Sequence, residues 1–257
     1  MIKKLLFLSF IIAGALITAL ACGGPETPPQ TETPPVQTEM EPAPATLAHA
    51  GRLYDKWWGE IGQDVPSGDN PVWARQTTNT RSGAGTWRCK ECHGWDYKGV
   101  SGVYSSGSHK TGFTGLLQAS GKSREDLAKQ LKGEIDSQHD FSAMTDLHVG
   151  HLVDFLKYGM IDDSKYIDYS TKKTIGADVA HGEELYTSTC VPCHGADGKT
   201  IDIEGAGIGA IANGNPWETL HKIRFGQPGT AMPAAVASGW STEEAVDVLG
   251  YAQTLPE

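Results

Sequence analysis

Two copies of one five-residue pattern constrain this chain more than anything else in it: Cys89-Lys90-Glu91-Cys92-His93 and Cys190-Val191-Pro192-Cys193-His194. Two thiols with two residues between them, and an imidazole directly after the second, suit a short helical turn that presents all three groups to one flat ligand. This is the pattern through which c-type haem is attached. The thiols add across the vinyl groups, and the histidine reaches the iron from one face. Cys89, Cys92, Cys190 and Cys193 are therefore expected to carry two covalent haems, with His93 and His194 as iron ligands. Two other uses of these residues stand beside that one. A disulfide leaves the following histidine unexplained. A zinc site needs four ligands, and the two pairs lie far apart in the sequence.

The fifth cysteine, Cys22, follows an export segment. Lys3 and Lys4 give a positive start, Leu5 to Leu20 is almost wholly apolar, and the small residue Ala21 precedes the cysteine. The arrangement resembles a bacterial lipoprotein signal, in which residues 1–21 are removed and Cys22 is lipidated, although Ala19 stands where that pattern usually has Leu. A retained membrane anchor and plain secretion are the alternatives, because the apolar run is only slightly short for a span. All three place the body of the protein outside the cytoplasm, in the periplasm or cell envelope. Residues 22–46 hold seven prolines among Thr and Glu. Such a stretch buries too little apolar surface to fold and is expected to be an extended tether.

Acidic residues number 31 against 21 basic, a net charge of −10. That balance speaks against nucleic acid as a partner.

The rest of the chain divides into two similar halves. Residues 120–158 lie on 213–251 without a gap at a constant offset of 93. On that register Gly133 meets Gly226, Leu127 meets Leu220, and Val153-Asp154 meets Val246-Asp247. A shared order of helix, Gly-ended loop and second helix is what a duplicated unit leaves behind. The apolar spacing predicts helices over about 124–132, 146–158, 217–225 and 242–253. Ser123, Thr145 and Ser241 or Thr242 are the expected N-caps. A first helix is expected at Leu47–Ile61 in one half and at Ala180–Thr189 in the other. The expected organisation is all-α: one domain at 47–160 with an irregular insertion at 62–88, a linker at 161–175, and a second domain at 176–257.

These features resemble a two-domain, class I-type cytochrome c over residues 47–257. The second half carries the closer resemblance: Gly182, Leu185 and Tyr186 before the signature, Gly195 after it, a Gly-rich loop, then Ala231-Met232-Pro233 and a terminal helix. The resemblance implies that Met232 is the second axial ligand of the iron held by His194. The first half departs from the pattern through its insertion and through the lack of a Met-Pro pair. Its candidates are His139, Met144, His148, His151 and Met160. The offset of 93 carries His139 onto Met232, and carries Met144 onto Ala237, too near the last helix. His139 is therefore the expected ligand and Met144 the runner-up.

The resemblance implies electron transfer, with redox proteins or a respiratory complex as partners. A di-haem enzyme acting on a small sulfur compound or a peroxide is the alternative; it needs an iron with a labile or unusual ligand, and no free Cys remains for that. Trp217 and Arg224 are candidates for contact with a haem carboxylate. His49 and His221 read as surface residues on helices, and His109 and His181 have no evident partner.

Overall fold

The computed structural model describes residues 40–257 except Glu204. The export segment, Cys22 and the tether up to residue 39 lie outside the described residues. Residues 40–257 form one compact unit. It is helical: among the described residues there are isolated β-bridges but no strands. No described helix is long and apolar enough to cross a membrane.

Helix α1 runs Pro44–Glu60 and is kinked at Lys56. It begins three residues inside the stretch expected to be tether. Pro44 occupies the first turn, where the missing N–H costs nothing. The insertion follows, irregular apart from two short 3-10 turns at Pro71–Arg75 and Gly83–Trp87. Helix α2, Cys89–His93, is the first signature itself. Helices α3 (Arg124–Leu131) and α4 (Asp146–Asp154) are capped by Ser123 and Thr145, whose side chains accept from backbone N–H groups inside the helix. The expected single helix to 158 instead ends in a π turn at Phe155–Gly159.

In the second half, α5 (Val179–Thr189) leads into α6 (Val191–His194), the second signature. Helix α7 (Ile208–Gly214) was not evident from the apolar spacing. Helices α8 (Pro216–Phe225) and α9 (Thr242–Ala252) follow, the latter with a full capping box between Ser241 and Glu244. The segment expected to be a linker is folded. Ile167 is 1 % exposed, and Gln253 of the chain terminus bonds both the Thr174 N–H and the Lys172 carbonyl.

The cores of the two halves are cross-seeded. Phe225 of α8 packs among Leu53, Tyr54 and Phe155 of the first half. Trp95, two residues after His93, packs among Ala212, Trp217, Leu220 and Leu249 of the second. Each half thus buries a large aromatic of the other, and the halves cannot separate without exposing both rings.

Helix α5 crosses α9 at close range. Gly182 sits where a Cβ would overlap the backbone carbonyl of Asp247. The obstacle is main chain, which cannot rotate aside. Gly182→Ala is expected to prise the two helices apart and lower the thermal midpoint, at or above the ~1–3 kcal/mol typical of overpacking. An unchanged melting curve would show that α5 and α9 slide freely.

Candidate functional site

Helix α2 is little more than one turn, and Gly94 stops it at φ +81°. A left-handed residue there lets the chain leave at once, so the signature stands alone as a turn. Cys89 packs against the first-half core and Cys92 against Val72, Trp73 and Phe113. Burial pushes the Cys89 thiol up to about 12 and pushes Cys92 up as well. Both are neutral thiols in apolar surroundings, unlike reactive thiolates.

The His93 ring is fixed through Nδ1, which donates to the Thr114 carbonyl at 2.8 Å. Its Nε2 is thereby left as the free nitrogen. His139 is fixed in the same way, Nδ1 donating to the Gln130 carbonyl at 3.1 Å. The two ring centres lie 6.4 Å apart with their planes at 69°. With metal–nitrogen bonds of about 2 Å, one metal bound between two imidazoles on opposite sides holds their centres roughly 6–6.5 Å apart. Backbone carbonyls on the far nitrogens are the usual means of orienting ligating histidines. Burial holds His93 down at about 4, with His139 adding to the effect and the Thr114 bond opposing it. It is a neutral imidazole at neutral pH, the ligating form. The residues present fit a haem iron.

Met144 lies in the first-half core. His148 and His151 of α4 cluster with His49 of α1, ring centres 5.1–6.4 Å apart. Among the described residues no group of three or more His, Cys, Asp or Glu is placed to hold a metal ion.

Glu91, inside the first signature, is fully buried. It meets Arg81 and Lys90 at 2.8 Å, and His109 and Asn79 at 3.3 Å. Arg81 and Asn79 belong to the insertion, which is therefore clamped over the outer side of α2. His109, without an evident partner in the sequence, stacks on Tyr104 and bonds Glu91.

In the second half Gly195, at φ +77°, repeats the stop of Gly94. Cys190 packs against Tyr186, Val248 and Leu255, and burial pushes it up to about 11. Cys193 is exposed. His194 Nδ1 is buried without a hydrogen-bond partner, and burial lowers the ring's proton affinity. Met232 lies in the loop after α8. Gly226, at φ +84°, lets that loop close, since a Cβ there would come within 2.7 Å of the Met232 carbonyl. The Ala235 and Val236 N–H groups then tie the loop to the end of α8 at 3.0 and 3.1 Å. Gly133, its counterpart under the offset of 93, is also left-handed, at φ +73°. His139 and Met232 thus each follow a left-handed glycine by six residues. The structure brings His93 and His139 ring to ring; no hydrogen bond joins His194 to Met232.

Three sequence readings are corrected or completed. His221 is an interior residue, 1 % exposed, not a surface one. It accepts from the Tyr97 hydroxyl at 2.8 Å and donates to the Gly51 carbonyl at 3.0 Å, inside a box of Tyr54, Trp95, Phe155 and Phe225. His181 pairs with Asp247. Trp217 Nε1 and two guanidinium nitrogens of Arg224 are buried with no protein partner. Lys222 of α8 and Arg88, just before the first signature, share the buried carboxylate of Asp55. The cross-half pairs of Asp55 with Lys222 and of His221 with Tyr97 and Gly51 left no periodic trace in the sequence.

Residues 177–251 match the family described as cytochrome c oxidase, cbb3-type, subunit III. No curated protein matches the chain significantly. The family match supports a cytochrome c domain in the second half and a haem-based electron-transfer protein. It does not extend to the first signature.

Proposed function

We propose that the chain is a di-haem c-type cytochrome that passes electrons between redox partners outside the cytoplasm. Cys89 and Cys92 hold one haem, and Cys190 and Cys193 the other. His93 and His139 are the axial ligands of the first iron, His194 and Met232 those of the second. One observation supports the reading: the rings of His93, in the first signature, and His139 have centres 6.4 Å apart, each held by a backbone carbonyl. The family match over residues 177–251 supports it for the second half.

Bound haem supplies a one-electron change at iron. The chain supplies ligands, burial and a fixed separation. Two imidazoles at the first iron leave no position for a substrate, which favours a carrier over an enzyme. A thioether raises the potential relative to a second imidazole. Electrons therefore enter through the first half and leave through the second. The printed description of the matched family makes a respiratory complex a candidate partner. A lipidated Cys22 would hold the acidic head beside a membrane.

Intact mass of the protein, made in a host that matures such cytochromes, is expected to show two added haems. Spectra should show two low-spin irons, one with the weak long-wavelength band of sulfur ligation. Bare thiols or bound zinc would overturn the reading. A high-spin ferric haem that takes up cyanide or sulfite rapidly would favour the haem enzyme.

A further inference from the structure

The loop that carries Met232 is held by both halves of the chain. Within the loop the bonds are short-range: the Thr230 N–H donates to the Gln227 carbonyl and the Met232 N–H to the Thr230 hydroxyl, each at 3.2 Å. Two further bonds come from α1 of the first half. The Gly229 N–H donates to Glu60 Oε2 at 3.2 Å, and Arg52 Nη1 donates at 2.9 Å to the carbonyl of Phe225, where α8 ends and the loop begins. Gly229 is left-handed, at φ +69°, and a Cβ there would come within 2.7 Å of the Gly59 carbonyl. The main chain of the loop therefore lies against the main chain at the end of α1. Thr230, bonded to both Gln227 and Met232, leaves little slack between that contact and the methionine.

Glu60, the last residue of α1, is itself held in place. Its side chain is 8 % exposed. Oε1 accepts from His49 Nδ1 and from Arg52 Nε, both at 2.8 Å, and Oε2 is left for the loop. Arg52 thus touches both the carboxylate and the end of α8. His49 is backed by α4, with its ring centre 5.1 Å from that of His151 and 5.6 Å from that of His148. Burial opposes ionisation of Glu60, but His49, Arg52 and the Gly229 N–H together hold its carboxyl below the usual range. A charged acceptor binds a backbone N–H more strongly than a neutral one. Neither Glu60 nor Arg52 is a haem ligand in the reading above.

We infer that Glu60 is a positioning residue for the second haem: through its carboxylate, with Arg52 beside it, the first half holds the loop that brings Met232 to the iron of the second. The inference rests on the reading of Met232 as an axial ligand. A ligand on a loop competes with free bases in solution, and the loop's fixed position is what favours it, because ordering it anew would cost conformational entropy. Releasing the loop from α1 therefore weakens the thioether bond without removing the thioether.

Imidazole titration of the ferric holo-protein tests this, read at the weak long-wavelength band of sulfur ligation. Imidazole displaces Met232 and the band fades. Glu60→Ala is expected to lose the band at a roughly 3–10-fold lower imidazole concentration, for the loss of one hydrogen bond, with two haems still present by mass. Arg52→Ala removes the Phe225 bond and one of the two groups that orient Glu60. It is expected to shift the same way, and it decides the matter where Glu60→Ala does not fold. Leu127→Ala truncates a core residue of α3. It is expected to melt earlier yet keep the wild-type imidazole dependence, which separates positioning from general loss of stability. Wild-type dependence in a folded Glu60→Ala protein, or in Arg52→Ala where the first does not fold, would overturn the inference and leave the haem reading standing. So would an equal shift in Leu127→Ala. A wild type with two haems but no sulfur band, its spectrum matching that of Met232→Ala, would remove the ligand reading and the inference with it.

Discussion

Asp55→Ala is expected to destabilise the protein by ~3–5 kcal/mol, the range for removing one partner from a buried ion pair. Asp55 is 1 % exposed and receives both Arg88 and Lys222. Arg88 also donates Nε to the Asp55 carbonyl at 3.0 Å. Both cations lie over the Trp95 ring, at 5.8 and 5.3 Å from its centre, with Lys90 at 5.2 Å. Without the carboxylate these cations keep only the ring face, worth about 0.5–2 kcal/mol each. For a unit of this size each kcal/mol moves the midpoint by about 2–4 °C, so thermal melting of the holo-protein should show a fall of roughly 6–20 °C. The acid side adds a second signature. Burial opposes ionisation of Asp55, but Lys222 and Arg88 together hold its carboxyl down at about 2. That lies below the ~3.9 of an unfolded chain. The stability it contributes is therefore present above the unfolded value and is lost as the pH falls towards 2. Asp55→Ala should flatten this part of the stability curve. A loss below about 1 kcal/mol would show that water or rearranged side chains compensate the cations.

The same residues show what could be read in advance and what could not. Helices with clear apolar spacing and a polar cap announce themselves locally. Ser123, Thr145 and Ser241 cap the helices expected to follow them, because a cap bond spans only three residues. The internal offset of 93 relates pairs that the structure also relates: Gly133 and Gly226 are both left-handed, and Asp154 and Asp247 both take a cationic or imidazole partner. Short α7 was not legible because about two turns show no clear period. Contacts between the halves were illegible for a different reason. Asp55 and Lys222 are 167 residues apart, and His221 and Gly51 are 170 apart. Neither spacing nor composition says that a His on an amphipathic helix turns inward to meet a tyrosine hydroxyl. The motif singled out His93 and His194, but the backbone carbonyls that hold the His93 and His139 rings belong to no motif.

His139→Ala is expected to convert one haem from low spin to high spin, while Met144→Ala leaves both low spin. The two substitutions part because the side chains sit differently. The His139 ring centre lies 6.4 Å from that of His93, with its Nδ1 already committed to Gln130, so Nε2 is the nitrogen left for iron. Met144 is 3 % exposed and packs with Phe141, Val149 and the rest of the first-half core. Its loss should cost stability, ~2–5 kcal/mol for a buried Met truncated to Ala, with no change in spin state. In the His139→Ala protein the vacated position should accept added imidazole and return to low spin, because a small free base can occupy the space of the lost ring. The potential of that haem should shift, and that of the other should stay in place. Absorption and electron paramagnetic resonance spectra with and without imidazole read all of this in one preparation. A first haem that stays low spin in His139→Ala and turns high spin in Met144→Ala would move the ligand to the thioether. The adjacent rings would then be a packing contact, and the expected order of potentials would lose its basis, since both irons would carry one imidazole and one thioether.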